Sequence, residues 1–239
     1  MEYRSISNAP HAVATEEALK HWDRRRPSTS HASIELQTAR QLSARVCALM
    51  RTIIWMETRG LDVTSDHVLD VGCATGYGLW QFLLSGFPLE HLHGIDLFDD
   101  RVAEGRKRTP GMDLRVGDAT AMPFSDRQFG LVCEQFCFCH IPDADAKVRI
   151  AREMMRVSSK FILIHDWRMG SQSRKLYGVS RARIAEWFPG WQVRLRTRSQ
   201  LWPILGRSLS LYAPLLYDTL RMVNPLVGSW MTVLERPAD

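Results

Sequence analysis

The chain has 239 residues, 45% of them hydrophobic and 24% charged, which is enough for one sizeable core and fits a single α/β domain. Lys and Arg number 31 against 26 Asp and Glu, a formal charge of +5, but the basic residues are dispersed, so a nucleic-acid-binding arm is not expected. The 5 cysteines, with Cys133, Cys137 and Cys139 crowded together, do not resemble a secreted disulfide framework; reduced thiols and no metal site are expected.

In chain order, residues 1–63 read as a helical extension or lid, with Leu42, Val46, Leu49 and Ile53 on one helical face and Gly60 at its end. Trp22 to Ser30 (WDRRRPSTS) has the composition of a loop, either a flap over a ligand edge or a plain connector. The chain does not start with a basic stretch followed by an apolar one. No apolar run reaches the roughly 18 residues of a membrane span, so a cytoplasmic protein without a membrane span is expected.

Residues 64–239 alternate strand-like and helix-like segments, the pattern of a parallel sheet covered on both faces. Val68 to Val71 is the first strand, and Gly72, Gly76 and Gly78 end it in a turn suited to close backbone approach by a ligand. A helix over Leu79 to Ser85 follows, then strands at His91 to Asp96, Leu114 to Val116, Phe129 to Glu134 and Lys160 to His165. Helices are expected at Asp100 to Arg108 and Ala144 to Val157. Asp96 stands about twenty residues after the glycine turn, where a carboxylate can accept from both hydroxyls of a ribose; the competing role is helix capping, which Asp99 or Asp100 can fill. Gln192 to Thr197 and Ser229 to Glu235 are the last two strands. Between them lies an apolar segment broken by Pro203, Gly206 and Pro214, either a substrate cap over residues 198–225 or a helix packed on the sheet.

The run VLDVGCATGYG, an acidic residue followed by V-G-C-x-T-G-x-G, resembles motif I of class I S-adenosylmethionine (SAM) methyltransferases. The resemblance continues through VGDATAMPF and LVCEQFCFCHIPD, and thus spans about Val68 to Asp166. It implies a Rossmann-like, doubly wound α/β sheet of seven strands with an antiparallel last strand, N-terminal helices and an apolar insertion before that strand. It also implies SAM as cofactor, with S-adenosyl-L-homocysteine (SAH) as product. The implied methionine corner holds Asp70, Gly72, Cys73 and Gly76; Asp96 and Leu97 meet the ribose, and Asp118 and Ala119 the adenine. Glu134 and Gln135 hold the methionine amino group or line the transfer site. Gly130 departs from the pattern, which usually has Asp there.

His140, in the loop after the fourth strand, is the first candidate for general base, because a neutral imidazole can take the proton of an attacking hydroxyl. His165 and Asp166, at the carboxyl edge of the fifth strand, are its rivals. His165-Asp166-Trp167 does not supply the Asp-Asn pair that holds Mg²⁺ in catechol-type enzymes, so metal-free transfer is expected. The expected acceptor is a hydroxyl of a small natural product or glycan-like metabolite, as in bacterial small-molecule methyltransferases. An RNA methyltransferase and a non-catalytic SAM-binding scaffold are the alternatives.

Overall fold

Every residue of Val68–Val71 (β1) is buried, as a strand covered on both faces must be. The architecture around it comes from a computed structural model, which describes residues 36–168, 177–201, 216, 219–220 and 227–238. Leu92–Asp96 (β2) and Phe129–Gln135 (β4) flank β1 in parallel, and Asp113–Val116 (β3) and Ser158–Trp167 (β5) extend the sheet on either side. Val227–Glu235 (β7) then runs antiparallel to β5, and Gln192–Leu201 (β6) closes the edge antiparallel to β7. The order β3-β2-β1-β4-β5-β7-β6 is the expected doubly wound sheet with its antiparallel last strand beside the fifth.

Leu36–Glu57 (α1) is the expected amino-terminal helix. It buries Leu49 and Ile53 on one face of the sheet with Phe82, Phe161, Leu163, Met231 and Val233. Val46 is partly buried, and the Leu42 side chain lies outside the described residues. Gly60, at φ +96°, sits in the turn that follows. The opposite face is covered by Ala144–Val157 (α4), whose Ile150, Met154 and Val157 pack on Val132, Ile162 and Ile164. Asp143 caps α4, its side chain accepting from Asp145 N.

The helix after the glycine turn is shorter than expected, Trp80–Leu83 (α2), and Asp99–Arg108 (α3) joins β2 to β3. Arg181–Trp187 (α5) was not among the expected elements. Its signals were present in the sequence: Ser180, which accepts from Arg183 N, stands before Ile184 and Trp187, both buried. The loop Trp22 to Ser30 and most of the apolar segment 202–226 lie outside the described residues; of the candidate cap, 198–201 belong to β6. Among the described residues, no helix is long and apolar enough to cross a membrane.

Two polar clusters sit at the amino ends of the strands. His67 Nδ1 lies 2.8 Å from His93 Nε2, His93 Nδ1 lies 2.9 Å from Asp113, and the His67 ring stacks on His91 at 4.2 Å. Beside them, a Cβ at Gly130 would overlap the carboxyl group of Asp66. That carboxylate accepts from Lys160 Nζ at 2.7 Å and from Asp62 N at 2.8 Å.

Candidate functional site

The glycine turn leaves β1 with Gly72 at φ +76° and Gly76 at φ +74°, conformations that L side chains rarely adopt. Ala74 holds a similar angle, φ +50°, without being glycine, and its N–H donates to Asp96 Oδ2 at 2.7 Å. The carboxylate thus fixes the turn from the end of β2. Its other oxygen accepts from Phe98 N at 3.0 Å, and burial raises the Asp96 pKa. Each oxygen keeps a further lone pair for a ligand.

A cavity of about 290 Å³ opens at this edge of the sheet. Gly72, Asp96, Leu97, Asp118, Ala119, Gln135 and His140 all line it, so seven of the residues singled out from the sequence meet around one space. Asp118 accepts from Thr120 N at 2.8 Å, which fixes its carboxylate at the cavity wall. His140 ends the single turn Phe138–His140, held there by its N–H donating to Cys137 O at 3.0 Å.

Asp70, Cys73, Gly76 and Glu134 do not line the cavity but stand behind its wall. Gly76 packs against Met112 and Leu114, and Cys73 is buried. Burial pushes the Asp70 carboxyl up to about 7, against contacts with Cys133 and Gln135 that favour the anion. Glu134 accepts from Cys137 N at 2.8 Å while its other oxygen has no partner. Burial raises its pKa well above the usual range, and the Asp166 charge adds to the rise.

His165 and Asp166 also stand off the cavity. Asp166 accepts from Cys139 N at 2.8 Å and from Trp167 N at 2.6 Å, so it braces the loop that carries His140. His165 pairs with Gln135 across the strands and is completely buried, with neither ring nitrogen hydrogen-bonded. Its ring lies 4.4 Å from that of Phe136, and burial pushes its pKa well below the usual value.

Sequence reasoning missed Ala74, Phe136 and Arg45. Phe136 lines the cavity at φ +60° and nothing in its identity signals that angle. Arg45 left a trace: it stands three residues after Leu42 and four before Leu49, a charge on the apolar stripe of α1.

Comparison with known proteins finds similarity to methyltransferases. The model of a methyltransferase domain matches residues 68–160. The chain is 28% identical to ajmaline N-methyltransferase of Rauvolfia serpentina over 66% of its own length and 54% of that protein's. It is 33% identical to aklanonic acid methyltransferase of Streptomyces sp. (strain C5) over 34% of its length and 40% of that protein's. It therefore spans about half the length of the relatives it matches. Magnesium protoporphyrin IX methyltransferase from Synechocystis PCC 6803, solved with bound SAH, superposes with a TM-score of 0.60 at 12% identity, covering 92% of this chain and 94% of that one.

Proposed function

We propose that this chain is a class I SAM-dependent methyltransferase that transfers the methyl group of SAM to a hydroxyl of a small natural product or glycan-like metabolite, without a metal. The observation that carries the reading is the single cavity joining the glycine turn, Asp96, Asp118, Ala119 and His140. The residues suit the cofactor: Gly72 presents bare backbone to the cavity, and the Asp96 and Asp118 carboxylates on the same wall keep lone pairs for ligand hydroxyl and amine donors. In this reading Asp96 receives the ribose, Asp118 and the Ala119 N–H the adenine, and Gly72 and Gln135 enclose the methionine end, with Asp70 behind them. Cys73 and Gly76 hold the turn, Leu97 covers the nucleoside, and Glu134 ties down the loop that leads to His140.

Bound SAM supplies an electrophilic methyl on a sulfonium leaving group. The protein's work is alignment, which contributes on the order of 7 to 11 kcal/mol when nucleophile, methyl and sulfur are held in line. As the acceptor oxygen bonds to the methyl carbon, the sulfur keeps the electrons of the broken bond and His140 takes the hydroxyl proton. His140 is preferred over His165 and Asp166 because it alone of the three lines the cavity. The small-molecule acceptor draws support from relatives named for ajmaline and aklanonic acid. Their sources are a plant and a bacterium, which does not favour a bacterial subgroup. The free thiols Cys47, Cys73, Cys133, Cys137 and Cys139 suit the reducing cytoplasm.

Calorimetry with SAH followed by single-turnover transfer over a metabolite panel tests the reading. Binding and O-methylated product are expected. Binding without transfer to any acceptor would favour the scaffold, and transfer to bulk RNA would replace the small-molecule acceptor.

A further inference from the structure

The carboxyl end of β6 and the amino end of β7 gather arginines around one indole ring. Arg198 pairs with Trp230 across the two strands, and Arg196, two residues away on β6, shares their face of the sheet. The Arg196 and Arg198 guanidinium carbons lie 4.6 Å and 5.8 Å from the Trp230 ring centre, within cation–π range. Two more arginines join from neighbouring elements: the charges of Arg181, which opens α5, and Arg168, just past β5, are both felt at Arg196. Arg168 N donates to Gly228 O at 2.9 Å, which anchors that backbone beside β7.

Like charges gathered in one place repel, and an oxyanion among them relieves the repulsion. Among the described residues, no carboxylate forms an ion pair with Arg181, Arg196 or Arg198. Glu235, at the far end of β7, pairs with Arg59 and Arg194, and the Asp166 oxygens accept from Cys139 N and Trp167 N. Arg196 Nε donates to the neutral hydroxyl of Thr232 at 3.3 Å, while Arg198 Nε and Trp230 Nε1 are buried with no acceptor. Donors shielded from water without an acceptor are costly to keep. The planar fork of arginine suits a carboxylate or a phosphate, and the indole N–H can only donate. Together these groups form the cationic half of an oxyanion site.

The cluster also stands beside the transfer site. Trp230 is the cross-strand neighbour of Asp166, whose carboxylate holds Cys139 N in the loop of His140. Two strand spacings, about 10 Å, separate β7 from β4, so an acceptor reaching from His140 to Trp230 spans about that length. We propose that the acceptor carries an oxyanion, carboxylate or phosphate, which Arg196, Arg198 and the Trp230 N–H receive while its hydroxyl lies at His140. The inference rests on the methyltransferase reading and narrows its acceptor to an elongated anionic metabolite. The residues that carry it all lie beyond the matched stretch 68–160.

Full-length protein carrying ¹⁵N-tryptophan gives one indole N–H resonance for each of its 8 tryptophans, and that of Trp230 is identified by its loss in Trp230→Phe. Titration with inorganic pyrophosphate and with citrate, at an ionic strength held constant with chloride, should move the Trp230 resonance saturably in wild type. Arg196→Gln and Arg198→Gln should each weaken that response by about 10- to 100-fold, since a charged hydrogen bond is lost. Retained SAH affinity certifies the fold of each variant, and either variant carries the test where the other does not fold. Single-turnover transfer is then compared between hydroxy acids whose hydroxyl and carboxyl groups lie about 10 Å apart and their methyl esters. Wild type should prefer the acids through a lower KM, and both variants should lose the preference with kcat kept. A Trp230 resonance that does not move, or that moves equally in the variants, would overturn the site. Equal use of acid and ester by wild type would overturn the acceptor assignment, and a response to bulk RNA alone would replace it with a polyanion-binding surface. Wild type that binds no SAH would instead sink the methyltransferase reading, whatever the pyrophosphate titration shows.

Discussion

The two halves of the sheet treat charge in opposite ways. Across β3, β2, β1 and β4 the carboxyl ends present acidic side chains whose oxygens are engaged by backbone N–H groups: Asp96 by Ala74 and Phe98, Asp118 by Thr120, Glu134 by Cys137. Across β7 and β6 the corresponding end is basic and aromatic. The guanidiniums of Arg196 and Arg198 lie 4.6 Å and 5.8 Å from the ring of Trp230, and Arg196 also feels Arg181 and Arg168. The difference teaches that backbone N–H groups of the turns at the strand ends fix the first set, whereas side chains brought together from four separate segments make up the second. The first is the candidate cofactor half, and substitutions there should separate cleanly from those in the second.

The largest separation should appear at His140. His140→Ala is expected to slow single-turnover transfer to a hydroxyl acceptor by roughly 10² to 10⁴ with SAH affinity retained, and to slow an amine acceptor less. An unchanged rate on a hydroxyl acceptor would remove it as base. Next comes Asp96→Asn, for which calorimetry should show SAH affinity falling by about 10- to 100-fold, against a change of less than about twofold for Arg198→Gln. Equal losses in these two variants would break the division between the halves.

A smaller effect concerns pH. Asp70 titrates near 7 in the fold, above its unfolded value, so the folded state keeps a proton that the unfolded state releases. Its contribution to stability is complete below about pH 4 and is lost as the pH rises through 7. Asp70→Asn should therefore melt about 3 to 6 °C above wild type at pH 8 and level with it at pH 4, read by scanning calorimetry. The opposite sign is expected from His67, whose pKa burial and the neighbouring His91 and His93 hold down. Its contribution is present above the unfolded value and fades as the pH falls below it, so His67→Gln should narrow the acid loss in the same scans.

Much of the first half was legible because its chemistry is local. The apolar run Val68 to Val71 followed by three glycines reads as a strand and a turn, and Asp96, Asp118 and Ala119 follow at spacings that a βα unit imposes. Gly72, Asp96, Leu97, Asp118, Ala119, Gln135 and His140 then meet at one cavity. What could not be read depends on distant pairings. Nothing along the chain says that His165 will be sealed beside Gln135, or that a helix more than twenty residues before the glycine turn will bring Arg45 to it. Positive φ at Ala74 and Phe136 was equally silent, since neither residue type favours it. The helix Arg181–Trp187 is a different case, for its serine cap and apolar spacing were visible and unused.

The close approach of Gly130 to Asp66 gives a new meaning to the one departure from the family pattern. A carboxylate that the pattern writes on β4 is supplied here by the residue two positions before β1, where Lys160 neutralises it. The expectation is that the two positions act as one address, with acid at either and glycine at the other, because both side chains would claim the same space. Single-position scoring counts Gly130 as a loss, whereas a pairwise view counts it as an exchange. Natural relatives with Asp at the position of Gly130 should be depleted in acid at the position of Asp66, a pattern that any sufficiently deep set of sequences can confirm or refute.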